Sequence, residues 1–313
     1  MRFYLICILL FLTSSCAQTT TTAVVKEPPS PAPTAQNVDH ELEQRLKIIS
    51  EGAQGAVGLS VVHIESGKTV SINGNSQLPL YSVYKLPLAI TVLKDVEERR
   101  LRLDQKIHVT PAEVVQGTPA NNALWQTPVD YSIEQLLEFS ISRSDNTSSD
   151  KLVELVGGPL KVTERMRSLG FQNLDIHTSS GEFMKNRQNP NTGSADDLVQ
   201  LLVQLHQGKI LEPDRVNLLR GFMQRATTGL HRLRGDLPRG TVVADKTGSG
   251  EPDAVTQVAK VTNDVGIITL PGRGHLAIAV LVSGSKLPDA DQEKLIAELA
   301  RAAYDAYSKD VAK

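Results

Sequence analysis

The chain has 313 residues, of which 40% are hydrophobic and 22% are charged, a composition typical of ordinary globular proteins. This length is sufficient for one large hydrophobic core or two small ones. The 33 Lys and Arg residues against 35 acidic residues give a formal net charge of -2. A near-neutral balance disfavours binding to nucleic acid, which requires clustered basic side chains.

The first seventeen residues have the features of an export signal. Arg2 precedes an apolar run over residues 3–12, which is too short to cross a bilayer but has the length of a signal-peptide core. Cleavage before Cys16 would leave a cysteine for lipidation, as in bacterial lipoproteins. Cleavage after Ala17 would release a soluble protein instead. We therefore expect export to the periplasm, with a lipid-anchored and a free form both open.

Residues 18–39 form a predicted tether between this signal and a folded body. The segment is rich in Thr, Ala and Pro, so it buries little apolar area and is expected to be semi-extended. Such a tether would hold a domain away from a membrane.

The folded body contains predicted helices and strands in alternating groups. Apolar residues recur with helical period over residues 42–49, and they alternate over 57–61 before a second strand at 69–72. Helices are predicted over 86–96, 133–141 and 196–207, the last opened by Ser194 and closed by Gly208. Strands follow at 241–246, 265–270 and 276–283, and a final helix at 292–307.

Strands near both ends of the chain most simply form one antiparallel sheet flanked by the terminal helices. The expected fold class is therefore an α/β domain with an inserted all-α domain. The α/β domain comprises residues 40–80 and 220–313, and the helical domain comprises residues 81–219. A ligand cleft is expected between the two, where clefts commonly lie.

Cysteine and histidine usage argues against several kinds of site. Cys7 and Cys16 both lie in the signal region, so the folded body offers no disulfide and no thiol nucleophile. The seven histidines are scattered, and no two have the helical or strand spacing that brings two imidazoles to one metal. We expect no metal site and no organic cofactor.

Three short motifs contain candidate catalytic residues. Ser82 and Lys85 lie three residues apart at the start of a predicted helix, which places both side chains on one face. A neutral amine at that place can accept the serine proton. Ser144-Asp145-Asn146 adds a second hydroxyl and an amide, and Lys246-Thr247-Gly248 ends a strand with a cation for a substrate carboxylate. Each motif is common alone, whereas all three in this order strongly indicate a catalytic site.

In this order the motifs resemble those of the serine β-lactamases and penicillin-binding proteins. The likeness covers residues 40–310, and Thr227-Thr228-Gly229 and Asn263-Asp264-Val265-Gly266-Ile267 look like class A β-lactamase segments. The resemblance implies a β-lactamase-type fold that acts on a small β-lactam substrate through an acyl-serine.

The resemblance also implies a role for each matching residue. Ser82 is the nucleophile, Lys85 its proton acceptor and Ser144 a proton relay to the departing nitrogen. Asn146, Lys246, Thr247, Gly248 and Ser249 contact the substrate, and the backbone N–H groups of Ser82 and Ser249 form the oxyanion hole.

Glu182 and Asn186 carry the assignment to class A. Enzymes of that class have a glutamate and, four residues later, an asparagine in a loop beside the nucleophile, where both hold the deacylating water. Glu182 and Asn186 have this spacing. By resemblance, Glu182 is expected to be the general base that hydrolyses the acyl-serine ester.

The sequence departs from the class A pattern at two places that concern the substrate. Gly117 stands where an aromatic wall is usual, and Trp125 is the candidate to replace that wall. Residues 251–262 lack the arginine that often pairs with the substrate carboxylate. Arg232 is predicted to take this role, and Arg234 is expected to be structural.

Three functions remain open from the sequence. A class A β-lactamase is favoured, whereas a D-alanyl-D-alanine carboxypeptidase or penicillin-binding protein needs the motifs without a deacylating glutamate. A penicillin-sensing or cell-wall-binding module needs neither the intact motifs nor the glutamate. A chromogenic cephalosporin would separate them by sustained turnover, one stoichiometric burst or no reaction. A monomer is expected, with membrane attachment only through a lipidated Cys16.

Overall fold

The computed structural model describes residues 37–117, 122–253, 255 and 259–308. The predicted signal and most of the predicted tether lie outside these residues. No helix in the described part of the chain combines the length and the apolar character needed to cross a bilayer.

Helices lie at both ends and in the middle of the described chain, and the longer strands lie near the two ends. In chain order the elements are α1 (His40–Glu51), β1 (Ala56–His63), β2 (Thr69–Ile72), β3 (Leu78–Pro79), α2 (Lys85–Glu97), β4 (Lys106–Val109), β5 (Val129–Ser132), α3 (Ile133–Ser142), α4 (Asn146–Leu155), α5 (Pro159–Ser168), β6 (Leu174–Asp175), α6 (Ser180–Asn186), β7 (Thr192–Gly193), α7 (Ala195–His206), α8 (Pro213–Gln224), β8 (Val243–Gly250), β9 (Val261–Thr269), β10 (His275–Ser283) and α9 (Asp289–Ser308).

Strands from both ends of the chain form one antiparallel sheet in the order β2-β1-β10-β9-β8. Ala56 pairs with Ser283 across β1 and β10, and Lys246 pairs with Val265 across β8 and β9. The sheet and its flanking terminal helices confirm the fold class predicted from the sequence. The predicted division into residues 40–80 with 220–313 and residues 81–219 stays a prediction.

The sheet is buried on both faces because its strands alternate apolar side chains between two layers. In β10, Ile278 and Val280 belong to a core shared with Leu46 of α1 and Leu299 of α9. Ala279, between them, belongs to the second core, which contains the apolar residues of the helical middle. The terminal helices therefore cover one face, and the middle helices cover the other.

Four helices of the middle region were not predicted: α4, α5, α6 and α8. The buried side of α4 contains Thr147, Ser148 and Ser149, so a search for apolar period does not detect it. α5 begins at Pro159, directly after Gly158. Proline at the first position of a helix is a start signal that does not depend on apolar period. α4, α5 and α6 have ten residues or fewer. α8, in contrast, buries Val216, Leu219, Phe222 and Met223 at helical spacing, so its apolar period was present in the sequence and was missed.

Several boundaries differ from those expected, among them the start of β9 at Val261 rather than residue 265. Two others bear on the site. β8 begins at Val243 rather than at residue 241, because the Thr241 hydroxyl donates to the Pro238 carbonyl at 2.7 Å in a turn. Residues Tyr81–Tyr84 form a 3-10 helix ahead of α2 rather than the first turn of an α-helix. The nucleophile candidate therefore lies in this short turn.

Candidate active site

Ser82 lies in the 3-10 turn between β3 and α2, and two contacts fix that turn against the sheet. Gly248 of β8 has no side chain, and a Cβ there would come 2.4 Å from the Leu80 carbonyl oxygen. The Asn263 side-chain amide donates to the carbonyls of Pro79 at 2.8 Å and Leu80 at 3.2 Å. The end of β8 can therefore lie directly beside the nucleophile.

Lys85 is fully buried and its amine reaches the loop that follows α3. The Nζ atom donates to the Ser144 carbonyl at 2.7 Å and to Asn146 Oδ1 at 2.8 Å. Burial lowers the pKa of Lys85 from 10.5 to about 8, against the opposing attraction of Asp145 and Asp150. In the neutral amine these two bonds use both N–H groups and leave the lone pair free. Lys85 is therefore suited to accept a proton near neutral pH.

Ser144 lies between two buried lysines. Its hydroxyl accepts from Lys246 Nζ at 3.0 Å, and Lys85 Nζ lies 3.4 Å away. Burial, together with repulsion by Lys85, lowers the pKa of Lys246 well below its usual 10.5. Ser144 also has a φ of 55°, a backbone conformation uncommon for serine. We call Ser82, Lys85, Ser144 and Lys246 the cleft floor. Within it, hydrogen bonds join the Lys85 and Lys246 amines to the Ser144 hydroxyl, so a proton can pass between these three groups.

Asp145 organises the loop that carries Ser144. Its carboxylate accepts from the Ser148 backbone N–H at 2.7 Å, which caps α4, and from Trp125 Nε1 at 3.2 Å. Trp125 is only 3% exposed. Trp125 therefore supports the loop from below and does not form the aromatic wall that the sequence suggested. Asn146 Nδ2 donates to the Gln116 carbonyl at 2.8 Å, which orients the amide.

A cleft of about 270 Å³ opens over the nucleophile turn. Two of its lining side chains, Tyr81 and Phe183, contact each other, with their rings 5.4 Å apart in an edge-to-face arrangement. Arg187 Nη2 also donates to the Glu251 carbonyl at 2.7 Å. The lining residues are Tyr81, Ser82, Tyr84, Asn146, Thr178, Ser179, Ser180, Phe183, Met184, Arg187, Pro190, Asn191, Ser249, Gly250 and Glu251.

Glu182 and Asn186, in contrast, do not line this cleft. Glu182 lies in α6, where its carboxylate accepts from the Ser179 backbone N–H at 3.1 Å. The Ser179 hydroxyl accepts from the Glu182 backbone N–H at 3.3 Å, which completes a capping box. The Glu182 side chain is exposed beside a separate hollow, and Asn186 is exposed and accepts from the Gln188 N–H. The Ser-x-x-Glu pattern that starts at Ser179 is a capping signal, and it would have predicted this placement.

Hydroxyl groups occupy the part of the cleft where the glutamate was expected. We call residues 178–187 the cleft wall. Thr178 and Ser180 line the cleft, and the Ser180 hydroxyl lies 2.9 Å from the Tyr84 hydroxyl. Behind them, the Asp150 carboxylate accepts from the backbone N–H groups of Ser180 at 2.9 Å and Gly181 at 2.7 Å. Burial raises the pKa of Asp150 against the effect of these bonds. Asp150 was missed in the sequence, although it lies one helical turn after Asn146.

Arg232 is buried behind β8 rather than exposed in the cleft. Its Nη2 donates to the Ser249 hydroxyl at 2.7 Å, and its Nε pairs with Glu293 at 3.1 Å. Because Ser249 lines the cleft, Arg232 reaches that cleft through this hydroxyl. This arrangement differs from the direct contact with a substrate carboxylate that was expected.

Two further contacts hold β8 in place. The Thr247 hydroxyl lies 2.6 Å from the Thr228 hydroxyl, and Arg234 Nε donates to the buried Asp245 carboxylate at 2.8 Å. Burial raises the pKa of Asp245, and the Arg234 charge opposes that rise. Arg234 thus has the structural surroundings expected for it, and the Thr247 hydroxyl is engaged within the protein.

Comparison with known proteins agrees with this geometry. A family model described as the beta-lactamase enzyme family matches residues 41–307. The extended-spectrum beta-lactamase PER-1 of Pseudomonas aeruginosa is 34% identical over 267 residues, which cover 84% of this chain and 86% of that protein.

Two solved structures show the same fold. A beta-lactamase from Chitinophaga pinensis is 36% identical with a TM-score of 0.81, covering 85% of this chain and 99% of the other. A class A beta-lactamase from Bacteroides cellulosilyticus is 27% identical with a TM-score of 0.80, covering 87% and 98%. With the fold and the buried cleft floor, these matches show that the chain belongs to the class A serine β-lactamase family.

Proposed function

We propose that this chain hydrolyses the amide bond of β-lactams through an acyl-serine intermediate on Ser82. The observation that carries this proposal is the buried Lys85 amine, whose two hydrogen bonds to Ser144 and Asn146 leave a lone pair for the nucleophile's proton. Lys85 accepts the Ser82 proton as the serine oxygen attacks the β-lactam carbonyl carbon. The backbone N–H groups of Ser82 and Ser249 then stabilise the developing oxyanion.

Ser144 completes the acylation step. When the ring C–N bond breaks, the nitrogen must gain a proton, and the Ser144 hydroxyl lies within reach of both buried amines. The proton taken by Lys85 passes through Ser144 to this nitrogen, which leaves the acyl group on Ser82 as an ester. The Lys246 amine lies beside the same hydroxyl, where it offers a hydrogen-bond donor that is positively charged when protonated. It therefore also helps to attract the substrate carboxylate.

The remaining contacts orient the substrate. Asn146 and Ser249 line the cleft and offer an amide and a hydroxyl to the polar groups of a β-lactam. Thr247 and Gly248 bring the end of β8 close to the nucleophile turn, so substrate can lie along this strand. Arg232 contributes by holding the Ser249 hydroxyl.

Deacylation is the half-reaction for which the cleft is less well equipped. Glu182 caps its own helix outside the cleft, and the hydroxyls of Thr178 and Ser180 can orient a water but cannot remove its proton at neutral pH. General-base assistance typically contributes about 10²–10⁴-fold to a rate. We infer that acylation is faster than deacylation and that Glu182 is not the deacylating base in this conformation.

A chromogenic cephalosporin in a stopped-flow spectrometer tests both parts. The expected result is a burst of about one equivalent followed by slower steady turnover, with an acyl adduct visible by intact-protein mass spectrometry. The Ser82→Ala variant should show neither, whereas Ser168→Ala, which changes an exposed serine, should match the wild type. Absence of any reaction in the wild type would overturn the proposed function. Linear turnover without a burst would overturn only the slow deacylation.

We further infer that residues 1–17 direct export to the periplasm and that Cys16 becomes the lipid-bearing first residue. The apolar run, the small residues that follow it and the Thr- and Pro-rich tether support this. Changing Cys16 to Ser should move the protein from the membrane fraction to the soluble fraction without changing catalysis. A wild-type mature chain that begins at Gln18 would contradict the lipid anchor.

A further inference from the structure

A cluster of two histidines and a glutamate lies away from the cleft. Glu65 follows β1, His275 begins β10 and His206 ends α7, so three distant parts of the sequence meet there. One ligand atom from each lies within 4.8 Å of the other two, and the two imidazole rings have centroids 4.3 Å apart. These three residues do not contribute to the lining of the catalytic cleft.

The hydrogen bonds inside this cluster leave one buried nitrogen unused. Glu65 accepts from the His275 backbone N–H at 2.8 Å, and its other oxygen lies 2.8 Å from His275 Nδ1. His206 Nδ1 is buried and has no hydrogen-bond partner among the described residues. A buried polar atom without a partner costs free energy, and native proteins usually supply one. The contacts of the described residues therefore leave His206 Nδ1 available to a bound group.

We propose that Glu65, His206 and His275 bind a divalent transition metal ion, for which zinc is the best chemical match. Two imidazoles and one carboxylate are a common zinc donor set, with metal–ligand bonds of about 2.0–2.2 Å. In a tetrahedral site such bonds place neighbouring donors roughly 3.4 Å apart. Rotation of the exposed Glu65 side chain and a small movement of an imidazole ring would bring the three donor atoms to this separation.

His63 provides further support beside the three ligands. Its Nε2 lies 3.5 Å from Glu65 Oε2, the oxygen that also accepts from the His275 backbone N–H, and its ring stacks on Tyr307 at a centroid distance of 4.9 Å. A metal-bound carboxylate commonly has such an outer partner, which limits its rotation. His63 therefore orients the Glu65 carboxylate towards the ion.

The ion would join two layers of the fold. His206 belongs to the helical side, whereas Glu65 and His275 belong to the connection after β1 and to the start of β10. Binding to the folded chain alone would stabilise it by linkage. The ion would therefore have a structural role. The spacing of the three ligands in the sequence does not reveal the site, because only the tertiary fold brings them together.

Titration of the tag-free protein with zinc, by calorimetry and by thermal unfolding, tests the proposal. We expect one zinc per chain and a rise in Tm of roughly 5 °C at a hundredfold excess of zinc over Kd. His206→Ala should lose this rise. His108→Ala is the matched control, because His108 also pairs with a carboxylate, Asp130 at 2.7 Å, but at an exposed site that has no third metal-ligating side chain among the described residues. An equal zinc effect in wild type and His206→Ala, or no effect in the wild type, would overturn the site.

A second measurement covers the case in which His206→Ala does not fold. Glu65→Gln can keep the hydrogen bonds to His275, so the metal-free Tm should stay close to that of the wild type. Its zinc affinity should fall at least tenfold, since a neutral amide is a poor zinc ligand. Cobalt(II) should give the visible absorption bands of a tetrahedral ion in the wild type and weaker bands in this variant. An unchanged spectrum in Glu65→Gln would contradict ligation by Glu65.

Discussion

The cleft floor and the cleft wall place their charged side chains in opposite ways. On the floor, Lys85 and Lys246 are fully buried and converge on Ser144. On the wall, Glu182 is exposed and its carboxylate satisfies the start of its own helix. The floor is fixed by burial and strand register, whereas the wall is fixed by local capping. This difference is the basis of our proposal that acylation is faster than deacylation.

The largest effect is expected at the floor, from replacing Lys85 with Ala. Loss of the proton acceptor should lower the acylation rate by roughly 10²–10⁴-fold. In the wild type the reactive form is the neutral amine, and the pKa of Lys85 is about 8. Acylation should therefore rise about tenfold per pH unit below this value and level off above it. The measurement is kcat/KM for a chromogenic cephalosporin across the pH range.

Lys94→Ala is the matched control for this prediction. Lys94 lies on the same helix, pairs with Glu97 at 2.8 Å and does not line the cleft. Its pH profile should follow that of the wild type. A wild-type profile without a rise towards pH 8 would show that Lys85 is not the titrating acceptor.

The next effect concerns Arg232, which donates to the Ser249 hydroxyl that lines the cleft. If Arg232 acts by holding Ser249, removal of its charged hydrogen bond by Arg232→Ala should cost about 1.5–3 kcal/mol of transition-state stabilisation. This corresponds to a fall of roughly 10–150-fold in kcat/KM. The double variant with Ser249→Ala separates the two arrangements. A shared effect gives non-additive losses, whereas direct binding of the substrate by Arg232 gives additive ones.

Trp125 should affect stability and leave substrate binding unchanged. Trp125→Phe removes the indole donor to the buried Asp145, which should lower the free energy of unfolding by about 2 kcal/mol. Chemical denaturation measures this loss. KM should stay within about twofold of the wild-type value, because the ring lies outside the cleft. A large change in KM at unchanged stability would restore Trp125 as a substrate wall.

Glu182→Gln should have the smallest effect, and it tests the comparison of floor and wall most directly. The change keeps the shape of the capping side chain, so the deacylation rate should stay within about threefold of the wild-type rate, far below the effect of losing a general base. Decay of the acyl adduct by mass spectrometry gives this rate.

Asp150→Asn is the matched control, since it makes the same chemical change in the carboxylate that holds Ser180 and Gly181. It should disturb the cleft wall more than Glu182→Gln does. Accumulation of adduct in the Gln variant far above the wild-type level would establish Glu182 as the base and would require α6 to move.

The sequence was sufficient to predict the sheet, because alternating apolar residues in the strands define which faces are buried. Ser82 and Lys85 were expected on one face of a helix, whereas the structure places Ser82 in a 3-10 turn and Lys85 at the start of α2. The strands depend on local period, which can be read directly from the sequence. The convergence of Lys85 and Lys246 on Ser144 followed only from resemblance.

The cleft wall and the cluster of Glu65, His206 and His275 were beyond this kind of prediction for different reasons. Glu182 fitted a four-residue spacing with Asn186, but the same glutamate fitted a capping box with Ser179, and the local hydrogen bonds prevailed. His206 and His275 have no spacing that relates them, because α7 and β10 bring them together from far apart in the chain. Arg232 was recognised as important, whereas its burial depends on the ion pair with Glu293 of α9, a helix that packs on β9 and β10.

The Asn263 side chain restricts the motion of the nucleophile turn. Its side chain donates to the Pro79 and Leu80 carbonyls and accepts from the Val282 backbone N–H at 3.0 Å, so it joins that turn to β9 and β10. Any local opening of the turn must break bonds that are anchored in the middle of the sheet. Amide hydrogens around Ser82 should therefore exchange with deuterium only when the whole domain unfolds, whereas those at the end of α6 exchange by fraying.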